Sequence, residues 1–148
     1  MTNTFKLRPA QPSDAPRIRE LVRQARINPL GLDWRRFVVA VSPQEEVIGC
    51  GQVKSHFDGS RELASLAVEP DRQGRGAGSA IVRYWLGAQR VPLYLTCRES
   101  LGPFYRRLGF RVLASEEMPP YFRRLHRLAR WLHALKLFRE PILVMKYG

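Results

Sequence analysis

The sequence predicts an α/β fold of the α+β kind: a mixed, mostly antiparallel sheet with helices on both faces and a basic amphipathic helix before the last strand. Three observations carry this. The strand-like runs Phe37–Val41, Val47–Val53 and Glu62–Val68 follow one another across short turns, as three antiparallel strands would. The third leads into Gln73-Gly74-Arg75-Gly76-Ala77-Gly78 and then into Ser79–Leu86, which reads as a helix. Val91–Thr96 returns as an apolar strand after that helix, so a helical crossover sets it parallel to the strand before the glycines.

The remaining elements fit around this frame. Phe5–Arg8 reads as a first strand. Ser13 or Asp14 caps a helix with Pro16 in its first turn and Ile18, Leu21, Val22 and Ala25 at helical spacing. Asn28-Pro29-Leu30-Gly31 ends it. After Val91–Thr96 come a short helix, Leu101–Leu108, a strand, Phe110–Leu113, and a last strand from Pro141 to Tyr147. Between those strands, residues 121–139 place Tyr121, Phe122, Leu125, Leu128, Ala129, Leu132, Leu135 and Phe138 in one helical stripe. Arg123, Arg124, Arg127, Arg130, Lys136 and Arg139 mostly fill the other side.

At 148 residues the chain is expected to be one domain, residues 1–148, with 119–139 as a basic helical insertion. No stretch approaches the roughly 18 apolar residues of a membrane span. The N-terminal segment Met1–Arg8 lacks the order of a secretory signal, so a cytoplasmic protein is expected. Cys50 and Cys97 fit no metal spacing and read as buried, inert thiols; the histidines form no ligand pattern, so no metal is expected. A formal net charge of +12 and a pI near 10.8 favour an anionic partner without ranking nucleic acid, acidic membrane, acidic protein and phosphorylated cofactor.

The glycine-rich turn narrows this. Strand, glycine turn and helix together make a phosphate cradle: glycine permits a tight turn, and the helix start offers unpaired N–H groups and a positive dipole end. A dinucleotide fingerprint does not fit, because the last glycine is misplaced and antiparallel strands come first. A P-loop does not fit either, since Gly-Lys-Ser/Thr is missing.

Two motifs then carry a resemblance. Gln73-Gly74-Arg75-Gly76-Ala77-Gly78 after Leu66-Ala67-Val68-Glu69-Pro70, and Phe104-Tyr105-Arg106-Arg107-Leu108-Gly109-Phe110 downstream, resemble the two signatures of the GCN5-related N-acetyltransferase (GNAT) superfamily. The likeness covers roughly residues 5–147. Asn28–Trp34, with Pro119-Pro120-Tyr121-Phe122, resembles a bacterial and plastid branch that includes serotonin and protein N-acetyltransferases. The resemblance implies that acetyl-coenzyme A is the acyl donor. Its pyrophosphate would lie on the backbone of residues 74–78, with Arg72, Gln73 and Arg75 in support. Its pantetheine arm would lie along the backbone of Leu66, Ala67 and Val68, as an added strand does.

Acetyl transfer to an amine needs a neutral amine and a stabilised leaving thiolate. Tyr105, matching the tyrosine of the second signature, is the candidate general acid; the alternative is a packing role. Glu62, at an offset where some family members carry their base, is the candidate general base, against a solvated strand-end carboxylate. His56 is a second candidate base. His56, Trp34, Glu116 and Tyr121 are the candidate acceptor-binding residues. The acceptor is expected to be an amine, on a protein or a small molecule. The basic stripe would pack on the sheet, cover an acceptor cleft or join a homodimer. Acidic membrane and nucleic acid are less favoured partners. A non-catalytic acyl-coenzyme A sensor, or basic interaction module, on the same fold is the alternative function.

Overall fold

The computed structural model describes residues 4–148; Met1–Asn3, part of the N-terminal segment read above, lie outside the described residues. The chain divides into two compact units. One holds the residues up to Lys54 together with Leu63–Ala88; the other holds Ser55–Glu62 and Gln89–Gly148.

The first unit contains β1 (Lys6–Pro9), α1 (Ala15–Gln24), β2 (Phe37–Val41), most of β3 (Val47–Ser55), most of β4 (Arg61–Val68) and α2 (Ala77–Ala88). Its strands lie in the order β1-β2-β3-β4. β1 and β2 are antiparallel, with Lys6 opposite Val41, and so are β2 and β3, with Phe37 opposite Gln52. Strand β2 is apolar throughout because both its faces are covered. Phe37 and Val39 pack with Ile18, Leu21 and Val22 of α1. Val38 and Ala40 pack with Ala77 and Ile81 of α2. Helices therefore cover both faces, as the alternation along β2 requires. Asp14, just before α1, accepts from Gln11 N (2.7 Å) and pairs with Arg8 (2.7 Å). Ser65 is the irregular point of β4, with φ of 58°. A left-handed residue interrupts the two-residue alternation of a regular strand. Gln52, fully buried, donates to Ser65 Oγ (2.8 Å) and to Gly31 O (3.2 Å).

In the second unit, the start of β4 pairs in parallel with β5 (Leu93–Arg98), Glu62 standing opposite Tyr94. This is the parallel pairing expected of a helical crossover. β7 (Ile142–Tyr147) pairs antiparallel with β5 on one side and with β6 (Arg111–Val112) on the other. α3 spans Gly102–Arg107 and α4 spans Pro120–Ala134. Tyr94, Leu113, Met118, Phe122 and Val144 form the core.

Helix α4 ends before the expected 139. Leu135 caps it and Lys136 turns left-handed at φ 62°. Lys136 N then bonds His133 O and Leu137 N bonds Leu132 O, both at 2.9 Å. That pair of bonds closes a helix by satisfying its last carbonyls, here with a lysine where glycine is usual. Leu137 and Phe138 thus lie beyond the helix although the apolar spacing runs on. Helix α2 begins at Ala77, two residues before the expected Ser79. Among the described residues no helix is long and apolar enough to cross a membrane.

Candidate active site

In the first unit, Gly74 and Gly76 have φ of 79° and 92°, dihedrals that any side chain resists. They turn the chain so that Ala77, Gly78 and Ser79 form the first turn of α2. Ala80 N is the amide that closes that turn, on Gly76 O at 2.9 Å. The amides before it are the orphan donors of a helix start. A Cβ on Gly74 would meet nothing within 4 Å, so the space above the turn is open. These features fit a pyrophosphate.

The side chains around the turn divide. Gln73 Nε2 donates to Val68 O at 3.1 Å, tying the turn to the end of β4. Arg72 Nε lies 3.8 Å from Glu69 Oε2, whereas Arg75 is exposed. Leu66 and Val68 pack with the α2 side of the core and Ala67 with the α1 side. Trp34 packs on the α1 core and lines a cleft of about 360 Å³ with Ala15, Ile18, Arg19, Leu32 and Arg35. Arg35 covers its ring at 5.1 Å.

In the second unit, three of the candidates converge. His56 Nε2 lies 2.7 Å from Glu62 Oε1, and their side chains are only 12% and 9% exposed. The Tyr121 ring stacks on the imidazole, with centroids 3.5 Å apart and planes 13° apart. Phe122 meets His56 edge-on at 5.7 Å. The contact joins a ring nitrogen, which donates or accepts according to its tautomer, to a carboxylate oxygen. A carboxylate at this distance can set the tautomer of a histidine.

Asp58 completes the cluster and is absent from the sequence candidates. Its Oδ2 accepts from Tyr121 N (2.9 Å) and its Oδ1 from Ser60 N (2.9 Å). Burial works to raise its pKa, but the bonds from Ser60 and Tyr121 outweigh this and hold it below the usual carboxylate value. A signal was available. A turn on Asp58-Gly59, closed by His56 N to Ser60 O (2.9 Å), sets His56 opposite Ser60.

Tyr105 is buried on α3 between Phe104 (4.9 Å) and Phe110 (5.9 Å). Burial, with a lesser push from Cys97, raises its pKa well above the usual phenol, so the ring stays protonated. Cys97 Sγ faces Met145 Sδ at 3.8 Å, and burial pushes its thiol up to about 11. It is a packed thiol rather than a nucleophile. Glu116 is exposed on a short turn, where its neighbour Glu117 holds Arg111 at 2.9 Å. Among the described residues no group of His, Cys, Asp or Glu could hold a metal ion.

Residues 33–112 match the family model described as "Acetyltransferase (GNAT) domain". The chain is similar to N-acetylglutamate synthase from Neisseria gonorrhoeae, in a structure complexed with coenzyme A and L-arginine. The identity is 21% and the TM-score 0.73, over 95% of this chain and 32% of that one. It is similar to Rv2747 from Mycobacterium tuberculosis, in complex with CoA and NLQ, at 23% identity and TM-score 0.73, over 96% and 98% of the two chains. Ard1 from Thermoplasma volcanium is similar at 16% identity and TM-score 0.63, over 74% and 84%. These structural likenesses speak to the fold. The chain spans about a third of the length of the Neisseria protein.

Proposed function

Because this chain belongs to the GNAT acetyltransferase family, we propose that it transfers an acetyl group from acetyl-coenzyme A directly to a primary amine. The amine is a protein N-terminus, a lysine side chain or a small arylalkylamine. The observation that carries the catalytic reading is the shielded His56–Glu62 pair: a proton acceptor at 2.7 Å from its orienting carboxylate, capped by Tyr121.

Acetyl-coenzyme A supplies the activated acyl group. The backbone of residues 74–78 binds its pyrophosphate, and Leu66, Ala67 and Val68 offer backbone to its pantetheine arm. Glu62 holds the imidazole with Nδ1 as acceptor, and His56 takes the proton as the amine nitrogen forms its bond to the acyl carbon. Glu62 keeps the imidazolium stable afterwards. As the carbon–sulfur bond breaks, Tyr105 gives its phenolic proton to the departing sulfur. The carboxylates of Glu62 and Asp58 suit an acceptor that arrives as a cation. Glu116 and Trp34 are assigned to acceptor binding as further contacts.

The test follows free thiol release with peptide, polyamine and arylalkylamine acceptors, with product masses checked. Amine-dependent release is expected. Tyr105→Phe, Glu62→Gln and His56→Gln should each lower kcat about a hundredfold. Coenzyme A binding with no transfer to any acceptor would favour the sensor reading instead. Unchanged kcat in the variants, with chemistry rate-limiting, would remove the proton-transfer roles of Tyr105 and His56 and the orienting role of Glu62.

A further inference from the structure

Helix α4 is apolar over a wider arc than its unit covers. Phe122 and Ala129 are buried, and Phe122 lies in the core with Tyr94 and Val144. Leu128, Trp131 and Leu135 recur three and four residues apart, which stacks them into a second stripe on another side of the helix. Past the left-handed Lys136, Leu137 and Phe138 are exposed as well. These five side chains are between 38% and 66% exposed. A surface helix ordinarily buries its one apolar stripe and shows charge elsewhere.

The charge around this stripe has one sign. Met118–Arg139 contains Arg123, Arg124, Arg127, Arg130, Lys136 and Arg139, and no aspartate or glutamate. Arg123 turns back onto Met118 O at 2.9 Å, and Arg124 lies over the exposed Phe57 ring at 5.3 Å. Arg127, Arg130, Lys136 and Arg139 remain exposed beside the apolar residues.

We propose that this face docks in the plane of an anionic lipid bilayer. Leu128, Trp131, Leu135, Leu137 and Phe138 enter the boundary between headgroups and acyl chains, and the flanking cations meet the lipid phosphates. Both halves of the surface are used in this way. A second copy would bring like charges face to face across a two-fold contact. A nucleic acid would take up the cations through its phosphates but leave the leucines in water. The stems of Arg127 and Arg130 are long enough to cover apolar surface while their heads stay with the phosphates.

The test is flotation of the purified protein with phosphatidylcholine vesicles, with and without about one-third phosphatidylglycerol, at about 0.15 M salt. Binding at least about tenfold stronger to the acidic vesicles is expected. The double variant Leu128→Glu/Leu135→Glu should lose that binding while keeping its melting temperature, since both positions are exposed. Arg127→Gln/Arg130→Gln should weaken it about tenfold. Equal binding to both vesicle types, or full binding by the Leu→Glu variant, would overturn the proposal. So would a duplex oligonucleotide bound equally by wild type and the Leu→Glu variant, or a lipid-free dimer that Leu135→Glu dissociates at the same salt.

Discussion

Gly51 lacks a side chain because Ile81 occupies the space one would need. A Cβ at this position would sit 2.7 Å from Ile81 Cγ2, and Ile81 is fully buried. Gly51→Ala is therefore expected to cost about 1–3 kcal/mol, read as a lower urea midpoint with an unchanged slope. The sequence says only that a glycine stands in a strand; the helix that crosses it is a tertiary fact. Tyr105 and Glu62 are marked as candidates in the sequence by motif and offset. The bond from His56 to Glu62 was not legible there, because it depends on which residues the Asp58-Gly59 turn sets face to face. Ser65 was illegible for a different reason. Serine has no strong preference for positive φ, and the residue that braces it, Gln52, is thirteen positions away in sequence.

At the scale of elements, the glycine turn and α4 contrast. The turn was readable except for the exact helix start, since a strand and glycines that need φ of 79° and 92° leave a mark in the sequence, while α2 starts two residues early, at Ala77. Gly74→Ala has open space around its new Cβ, so its cost comes from the backbone alone, about 1–2 kcal/mol. The expected result is a KM for acetyl-coenzyme A raised about tenfold, with kcat nearly unchanged at saturation. A fall in kcat with no change in KM would detach the turn from donor binding. Helix α4 was readable at its start, where Pro119-Pro120 stands, but not at its end. Leu135 and Phe138 keep the apolar spacing, and the closing left-handed residue is a lysine, which carries no signal of a helix end. Periodicity therefore ran past the point where the hydrogen bonds stop.

For the whole molecule, the buried thiols and phenols titrate at high pH. Burial pushes Cys50 up to about 12 and Cys97 up to about 11, and raises Tyr94, Tyr105 and Tyr121. In the unfolded chain thiols ionise near 8.5 and phenols near about 10. Above those values the unfolded state binds fewer protons than the native state, so stability falls as pH rises. The melting temperature should decline from about pH 9 upward, and a flat profile to pH 11 would contradict it. Asp14 works in the opposite sense. The hydrogen bond from Arg8 holds its pKa below the usual carboxylate value, so its contribution is complete above that range and is lost as pH falls through the depressed value. The fold class, the parallel pairing of β4 and β5 and the helices on both faces were all present in the order of apolar runs.

The outward stripe of α4 also bears on how the molecules behave toward one another in bulk solution. Leu128, Trp131 and Leu135 are exposed apolar side chains in a segment rich in arginine, and the like charges of two such segments repel. That repulsion reaches about 10 Å at 0.1 M salt and only about 3 Å at 1 M. The protein should thus be colloidally stable in dilute buffer and cluster when salt is added, the reverse of ordinary salting-in. Light scattering that rises toward 1 M sodium chloride, and stays flat for Leu128→Glu/Leu135→Glu, is the expected signature; scattering that falls with salt would mean charge is not what disperses it.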